Sequence, residues 1–300
     1  MKNLKSHLYY IYLSFTRYRK GFFYLWMRYV VAPRITRFKG ILEKPVTHQN
    51  LSMHMLFGHR DVLSACWSLA SFYQNSTMIG SLTVHNYGSL TNKDKDIVRR
   101  LFPLVRIVGA DDLVQEAKKV FLNYPRIQEF FTTRLWQARK LIDPYLASKK
   151  ETILMLDSDL LWFKNPQILN DHIVRSYNSA LMMSNGPTLC KVPFKDGSEL
   201  DDGRAKGNSG VVLFKKQSYD LERLEKYLRN VELVPHQFLE QAGYASAFTM
   251  VELLPESDYV IKGVEESNVV MRHYTSPSRA KFFLRGTSYL CKTSLSYVCH

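Results

Sequence analysis

A short, uninterrupted apolar run that ends at two aspartates most constrains the fold of this 300-residue chain. The run Thr152–Leu156 reads TILML and is followed by Asp157, Ser158 and Asp159. A continuous apolar run of this length between polar borders is typical of a strand buried on both faces of a mostly parallel sheet. Ligands bind at the carboxyl ends of such strands, so we expect both carboxylates to face a ligand crevice.

Strands and helices alternate along the rest of the chain. Apolar runs predict further strands at Leu51–Phe57, Thr77–His85, Val105–Val108, Ala180–Ser184 and Val211–Phe214. Helical periodicity predicts a helix that begins behind Asp61 as its N-cap, and further helices at Lys93–Phe102, Ile127–Leu146 and Leu221–Leu228. This alternation favours an α/β fold in which a mostly parallel sheet is flanked by helices. We expect one catalytic domain over residues 46–300, preceded by a basic helical segment over residues 1–45.

The net charge of +14, from 41 basic and 27 acidic residues, predicts an anionic partner such as a membrane, a nucleic acid or a phosphorylated substrate. Residues 1–40 hold nine Lys and Arg, no acid and many aromatic residues. Their apolar runs are too short to span a bilayer, and no signal-peptide cleavage site follows them. Two interpretations stay open, a helix lying on an anionic membrane and a helix packed on the catalytic domain. Because no nucleic-acid-binding signature follows, we expect no nucleic-acid partner.

The four cysteines, at positions 66, 190, 291 and 299, show no metal-ligand spacing. Four free thiols in a reducing compartment are the favoured interpretation, with a disulfide between Cys291 and Cys299 as the alternative. We therefore expect a cytoplasmic protein, attached to the cytoplasmic face of a membrane if residues 1–40 bind lipid.

Three spaced motifs carry the candidate chemistry. In the first, Asp157 and Asp159 stand two residues apart, so in an extended chain both side chains point the same way and can meet one divalent cation. In the second, Asn208, Ser209 and Gly210 directly precede a strand, which predicts a backbone bend that exposes amides and polar side chains. The third places His273, a common metal-ligand type, before hydroxyl and cationic side chains that suit phosphate oxygens, including Ser278 and Arg279.

The motif LMLDSDLLWFKNP, followed by Asn-Ser-Gly-Val and the C-terminal histidine in this order, resembles nucleotide-sugar-dependent glycosyltransferases with the Rossmann-like A-type fold. The resemblance covers most of Leu51–Gly286 and is closest to glycogenin and other members of glycosyltransferase family eight. It implies a metal-dependent hexosyltransferase in which Mn²⁺ or Mg²⁺ is bound by Asp157, Asp159 and His273. It also implies a UDP-sugar donor, a glycan or lipid-linked acceptor and retention of anomeric configuration.

The same resemblance assigns the other site residues. It implies that the donor is bound by Arg134, Lys140, Ser158, Asn208, Ser209, Gly210, Ser278 and Arg279. It assigns catalytic roles to Asp157, Asp159, Glu240 and Gln241. The sequence departs from the family pattern at Glu240, where relatives carry Asp, and at the turn Asn86-Tyr87-Gly88, which lacks the acid that often contacts the nucleoside.

Three alternatives stay open at this point. An inverting enzyme would need a carboxylate base near the acceptor hydroxyl, for which Glu240 and Asp202 are candidates. A nucleotidyltransferase would release pyrophosphate instead of a nucleoside diphosphate, although the chain lacks the Gly-rich N-terminal loop usual in that class. A non-catalytic protein that binds nucleotide sugars or glycans would keep the fold without transferring a sugar.

Overall fold

The structure, a computed structural model, describes residues 2–38, 45–109, 111–175, 179–192, 194–198, 200, 202–276 and 278–299. Of residues 2–6, 202 and 203 only the backbone is described. The side chain of Asp202, a candidate base of an inverting reaction, therefore lies outside the described part, as do residues 39–44 next to the expected domain boundary.

A seven-stranded sheet forms the centre of the molecule. The described strands of this sheet and of a smaller one, in chain order, are β1 Leu51–Phe57, β2 Ser81–Asn86, β3 Arg106–Val108, β4 Thr152–Leu156, β5 Leu160–Trp162, β6 Ala180–Ser184, β7 Gly207–Lys215, β8 Val251–Leu253, β9 Tyr259–Val260 and β10 Met271–His273. The large sheet has the order β3-β2-β1-β4-β7-β6-β8, and only β7 runs antiparallel to its neighbours. A small sheet has the order β5-β10-β9. The predicted mostly parallel α/β architecture is thus confirmed.

Helices cover both faces of the large sheet. The α-helices are α1 Lys2–Thr16, α2 Gly21–Trp26, α3 Val62–Asn75, α4 Asn92–Leu101, α5 Val114–Val120, α6 Pro125–Thr132, α7 Trp136–Ala147, α8 Gln167–Val174, α9 Asp202–Ala205, α10 Leu221–Asn230, α11 Leu239–Ala247, α12 Arg279–Lys281, α13 Ser288–Leu290 and α14 Ser296–Cys299. Two π-helices, Met27–Val31 and Phe282–Thr287, and four 3₁₀-helices, Ala32–Arg37, His59–Asp61, Lys216–Ser218 and Glu266–Asn268, complete the described helical elements.

Alternate residues of the central strand pack into two apolar clusters. Leu154 and Leu156 join one cluster with helix α3, and Ile153 and Met155 join the other with helices α7, α10 and α11. Because successive strand side chains point to opposite faces, a strand covered on both faces needs apolar residues at every position. This explains the unbroken run Thr152–Leu156, which is buried throughout.

The predicted helix Ile127–Leu146 is wrong as a single element. Helix α6 ends at Thr132, and α7 begins at Trp136. Between them Arg134 has φ of 55°, a left-handed conformation that interrupts a right-handed helix and redirects the chain.

Two predicted strand starts also change by more than one residue. Strand β2 begins at Ser81 instead of Thr77, because the main chain at Ile79 bonds to the segment before β1, where its carbonyl accepts from the amide of Thr47 at 2.9 Å. Strand β7 begins at Gly207 instead of Val211, so Asn208, Ser209 and Gly210 lie inside the strand and not before it. The pairing with β6 is irregular there, because Met182 pairs with Val212 whereas Met183 pairs with Asn208. The backbone irregularity predicted at these residues is therefore present as a bulge within β7.

The N-terminal helices pack on the α/β domain. Tyr24, Met27 and Ile35 are buried in the apolar cluster that contains α3. The indole Nε1 of Trp67 on α3 donates a hydrogen bond to the carbonyl of Ala32 at 3.0 Å. The packed-helix interpretation of this segment is therefore confirmed for its inner face. Among the described residues, no helix combines the length and the apolar character needed to cross a membrane.

The preference for four free thiols is wrong. Cys291 and Cys299 form a disulfide, because the turn after Cys291 and helix α14 bring their Cα atoms to 5.5 Å, within the range that a disulfide requires. Cys66 and Cys190 are buried free thiols.

Candidate active site

Asp157, Asp159 and His273 meet at the carboxyl end of β4. The short strand β5 starts directly after Asp159 and pairs with β10, in which His273 lies opposite Leu160. The amide of Tyr274 donates to the carbonyl of Asp159 at 2.9 Å, which fixes this junction. The small sheet therefore brings a residue from the end of the chain beside the two aspartates.

The three side chains present one ligand atom each within 4.8 Å of one another. The His273 Nε2 atom lies 3.0 Å from Asp159 Oδ1 and 3.5 Å from Asp157 Oδ2. Two carboxylate oxygens and one imidazole nitrogen form a donor set that suits Mn²⁺ and also accommodates Mg²⁺ through the carboxylates. The cluster thus fits the divalent cation that the sequence predicted.

Gly210 provides the space in which His273 sits. A Cβ atom at this position would lie 2.6 Å from the Nδ1 atom of His273, closer than packed atoms approach. The Gly210 carbonyl also accepts a hydrogen bond from the amide of Asp157 at 2.9 Å. The glycine therefore positions two of the three candidate ligands through its missing side chain and its backbone.

Arg279 binds Asp159 from the side opposite His273. Its Nε and Nη2 atoms donate to Asp159 Oδ2 at 3.1 and 2.9 Å, and its Nη1 atom lies 3.6 Å from Asp61 Oδ1. Burial alone would raise the pKa of Asp159, but Arg279 and His273 together hold that pKa below its usual range. Asp159 is therefore ionised and can bind a cation despite its burial.

Lys140 on α7 reaches the other aspartate. Its Nζ atom lies 2.7 Å from Asp157 Oδ1 and 3.8 Å from Glu240 Oε1, and it donates to Ser209 Oγ at 2.9 Å. Burial would lower the pKa of Lys140, but the two carboxylates outweigh burial and raise it. A permanent cation therefore stands beside the candidate metal site.

Glu240 lies in the first turn of α11 and is 2% exposed. Burial raises its pKa to about 7, although Lys140 opposes the shift. Its Oε1 atom accepts a hydrogen bond from Ser209 at 3.2 Å, and its Oε2 atom has no hydrogen-bond partner among the described residues. A carboxyl group that titrates near neutrality can serve as an acid or a base.

A chain of amide side chains continues the site away from the cations. Asn208 Nδ2 donates to Asn185 Oδ1 at 2.6 Å, and Asn185 Nδ2 donates to Gln241 Oε1 at 3.0 Å. Asn208 Oδ1 accepts from the amide of Gly210 at 2.8 Å, so this chain of amides is anchored to β7. Such a row of fixed amides suits the hydroxyl groups of a sugar.

Two adjoining cavities contain these groups. The central cavity, of about 480 Å³, extends from Leu56 and Tyr87 past the two aspartates to Gln241. The second cavity, also of about 480 Å³, continues from Gln241 past Asn185 to Lys262. Each volume is typical of a small-molecule site, so the crevice has room for two ligands side by side.

The structure brings most of the predicted site residues together. The central cavity is lined by Lys140, Asp157, Ser158, Asp159, Asn208, Ser209, Glu240, Gln241, His273 and Arg279, and Gly210 lies beneath it. Two predicted donor-binding residues do not line it. The Arg134 side chain is 71% exposed and pairs with Asp111 at 3.0 Å, and the Ser278 hydroxyl donates to the Thr275 carbonyl at 2.7 Å within its own turn.

Sequence reasoning missed Asp61 and Asn185. Asp61 occupies the expected N-cap position, but its side chain makes no capping hydrogen bond and faces Arg279 instead. Asn185 directly follows β6, which is parallel to β4 because both pair antiparallel with β7. Its place after a strand that ends at the same edge as Asp157 is the signal that could have identified it.

Comparison with known proteins bears on the fold. No protein-family model matches the sequence, and no curated protein matches it either. An active-site mutant of LgtC has a TM-score of 0.53 and 14% sequence identity, over 75% of this chain and 88% of that chain. The galactosyltransferase LgtC in complex with donor and acceptor sugar analogues gives a TM-score of 0.51 and 10% identity, over 82% of this chain and 95% of that one.

The chain has the fold of these glycosyltransferases. The bifunctional glycosyltransferase WbbM in its apo form also matches, with a TM-score of 0.50 and 13% identity over 78% of this chain. The match covers 47% of the WbbM chain, so this chain spans about half of that protein. The A-type fold expected from the sequence motifs is therefore confirmed.

Proposed function

We propose that this protein is a metal-dependent glycosyltransferase that moves a hexosyl group from a nucleotide-diphospho-sugar to an acceptor. The observation that carries this proposal is the meeting of Asp157, Asp159 and His273 at the carboxyl edge of a sheet with a glycosyltransferase fold. LgtC, which shares the fold, was solved with donor and acceptor sugar analogues. By resemblance of the motifs, a UDP-sugar is the proposed donor, and a glycan or a lipid-linked sugar is the proposed acceptor.

The residues around the metal ligands have separate roles. A bound Mn²⁺ or Mg²⁺ would supply Lewis-acid chemistry toward the donor diphosphate. Lys140 and Arg279 would stabilise the negative charge that develops on the leaving nucleoside diphosphate, because both are cations fixed beside the aspartates before the reaction starts. Their buried positions make each charge more effective than it would be in water.

The chain of amides would orient the sugars. Asn208 and Gln241 line both cavities, so they stand where a donor sugar in the central cavity would meet an acceptor in the second one. We propose retention of anomeric configuration, as the resemblance of the motifs implies; Glu240, which lines the central cavity, is the carboxylate that an inverting reaction would use as its base instead. NMR of the product tests this point, since an inverted anomer would contradict it.

A screen of nucleotide sugars tests the function. Incubation with Mn²⁺ should release a nucleoside diphosphate, and EDTA should stop the release. The Asp159→Asn variant should lose at least about 100-fold in rate, whereas Asp96→Asn, a matched change of an exposed aspartate on α4, should retain full activity. Release of pyrophosphate would indicate a nucleotidyltransferase, and binding without release of any product would indicate a non-catalytic binding protein.

We further propose that the outer face of the N-terminal helices attaches the protein to an anionic membrane. This aromatic surface consists of the exposed residues Leu8, Tyr9, Tyr12, Phe15, Phe22, Phe23, Trp26, Tyr29 and Val30. Basic residues such as Arg17 and Lys20 lie among them and are exposed. Aromatic rings mixed with cations suit the headgroup region of a membrane, where the rings insert and the cations meet phosphates. The cytoplasmic location stays a prediction, which the disulfide between Cys291 and Cys299 does not support.

Vesicle sedimentation tests the membrane proposal. The double variant Phe22→Ser, Trp26→Ser should lose binding to phosphatidylcholine vesicles that contain phosphatidylserine. The control Leu122→Ser changes an equally exposed apolar residue outside the aromatic surface and should bind normally. Unchanged binding of the double variant would refute this role of the aromatic surface.

A further inference from the structure

A third cavity, here called the N-terminal cavity, separates the N-terminal helices from the candidate metal site. It has a volume of about 420 Å³. Its polar lining comes from His7, Tyr10, Arg28, His59, Arg60, Asp61, Asp159 and Arg279. Three of these residues, Asp61, Asp159 and Arg279, also line the central cavity. The two cavities therefore meet at the ion pair of Arg279 with Asp159.

Arg28 brings a positive charge to the N-terminal cavity that the two carboxylates of this cavity do not pair. Both carboxylates are bound to Arg279, at 3.6 Å for Asp61 and 2.9 Å for Asp159. Among the described residues, no carboxylate lies within ion-pair distance of Arg28. A cation without a carboxylate partner therefore stands on the wall that the N-terminal segment supplies.

Arg28 is held in place without a polar partner for its Nε atom. Its guanidinium carbon lies 4.6 Å from the centre of the Phe283 ring, an arrangement that fixes a cation over an aromatic face. Its Nε atom is buried and has no hydrogen-bond partner among the described residues. Burial, together with the nearby charges of Arg28 and Arg60, lowers the pKa of His7, so this ring is neutral and adds no charge to the cavity. Its Nε2 atom forms a hydrogen bond with the Tyr29 hydroxyl.

The N-terminal segment also contacts the residues on either side of Arg279, the first residue of α12. The Tyr10 hydroxyl lies 3.4 Å from Ser276 Oγ, and the Lys281 Nζ atom lies 5.4 Å from the centre of the Tyr18 ring. An anion bound between Arg28 and Arg279 would thus contact both the N-terminal segment and helix α12, whose first residue binds Asp159. Arginine is well suited to this task because its planar group donates paired hydrogen bonds to phosphate oxygens.

We propose that the N-terminal cavity binds a phosphate group of the acceptor, held by Arg28 and Arg60 next to Arg279. That the phosphate belongs to the acceptor rests on the proposed glycosyltransferase function, whereas the anion site itself does not. Apolar side chains, among them Leu63, Phe282 and Phe283, line the rest of this cavity and would contact whatever the phosphate is esterified to. The same chemistry is offered by a phospholipid headgroup and by a soluble phosphorylated sugar.

Calorimetric titration with inorganic phosphate, in EDTA and without any nucleotide sugar, tests the anion site. Wild-type protein should bind phosphate, and Arg28→Gln should bind it about tenfold more weakly, the loss expected for a charged hydrogen-bonding group. Arg37→Gln removes the same charge from an exposed position of the same segment, outside the cavity, and should bind as wild type does. Equal affinity in wild type and Arg28→Gln would overturn the proposal.

A second variant guards against loss of folding. Arg28→Lys keeps the charge and the alkyl stem but lacks the paired donors, so it should bind phosphate a few times more weakly than wild type while its thermal unfolding is unchanged. If Arg28→Gln unfolds and Arg28→Lys binds phosphate as tightly as wild type does, the proposal fails.

Vesicles distinguish the two sources of the phosphate. If the ligand is a headgroup, Arg28→Gln should bind vesicles of phosphatidylcholine with phosphatidic acid more weakly than Arg37→Gln does. If the ligand is soluble, the two variants should bind these vesicles equally, and only their phosphate affinities should differ. These measurements need neither a sugar donor nor a metal, so they test the anion site separately from the proposed function. Phosphate binding without sugar transfer would refute the proposed function alone. Sugar transfer without Arg28-dependent phosphate binding would refute this inference alone.

Discussion

At the scale of single residues, the metal site depends on a glycine as much as on its acids. In Gly210→Ala the new Cβ would displace His273, which lies 2.6 Å from that position. We expect weaker Mn²⁺ binding in this variant, measured by electron paramagnetic resonance. Gly207→Ala in the same strand is the control, because its nearest side-chain neighbour is the flexible Met182, at 3.2 Å. Equal Mn²⁺ affinity in both variants would show that His273 is not a ligand.

Glu240 makes the second residue-scale prediction, which concerns pH. Its pKa is raised to about 7 from an ordinary value of 4.5. The folded protein therefore binds more protons than the unfolded chain between these values, so the stability that Glu240 contributes is complete below pH 4.5 and is lost as pH rises through 7. Glu240→Gln cannot ionise, and its free energy of unfolding should exceed that of wild type by up to about 3 kcal/mol in alkaline solution.

Urea unfolding in acid and in alkaline solution measures this difference. The gain from Glu240→Gln should be present in alkaline solution and absent near pH 4. Glu232→Gln changes an exposed glutamate and should give no pH-dependent gain. A gain of the same size at both pH values would mean that Glu240 does not titrate near neutrality.

Local chemistry identified Asp157 and Asp159, and the family resemblance identified residues that long-range contacts bring to them, such as His273. Asp157 and Asp159 lie at the end of a readable strand, and their spacing alone indicates a shared ligand. Asp61 was assigned to the start of its own helix, because its contact with Arg279 joins positions far apart in the chain. Arg134 was placed on a continuous helix, and its left-handed backbone turns it outward toward Asp111.

At the scale of elements, the N-terminal helices belong to the folded domain and do not form a detachable anchor. Ile35 is fully buried, whereas Val30 on the preceding π-helix is 49% exposed. Ile35→Ala should lower the free energy of unfolding by about 2–5 kcal/mol, because it leaves a cavity in the core. Val30→Ala should change it by less than about 0.5 kcal/mol. Urea denaturation checks both values, and a negligible effect of Ile35→Ala would show that the segment folds separately.

Element type was more predictable than element limits. The strands β1, β4 and β6 have the predicted bounds because mostly apolar side chains fill them and a glycine or a polar residue follows each. The start of β7 was missed because Asn208 and Ser209 are polar residues of a strand that is nevertheless buried, where they serve the site instead of the core. Local polarity therefore placed Asn208 and Ser209 before the strand, whereas they belong to it and donate hydrogen bonds to Asn185 and Glu240.

At the scale of the whole molecule, the net charge of +14 should govern membrane attachment. Coulombic attraction between an exposed basic surface and anionic lipid is screened by salt, whereas insertion of aromatic rings is not. Binding to vesicles that contain phosphatidylserine should therefore fall markedly when salt is raised from low to physiological concentration. Equal binding at both concentrations would contradict the electrostatic part of the membrane proposal, and pure phosphatidylcholine vesicles provide the control.

The architecture followed from the order of strands and helices, because alternation of these elements permits few arrangements of a parallel sheet. The disulfide did not follow from sequence, since the approach of Cys291 and Cys299 depends on how the last turn and α14 pack. The convergence of His273 on the two aspartates also depends on the small sheet, which three short strands build from distant parts of the chain.

Titration with Mn²⁺, followed by electron paramagnetic resonance without any nucleotide sugar, tests the central claim most directly. Wild-type protein should bind one Mn²⁺ per chain at the site of Asp157, Asp159 and His273. Asp159→Asn should lose this binding, and the exposed control Asp96→Asn should keep it. Equal Mn²⁺ binding by wild type and Asp159→Asn would contradict the assignment of the metal site.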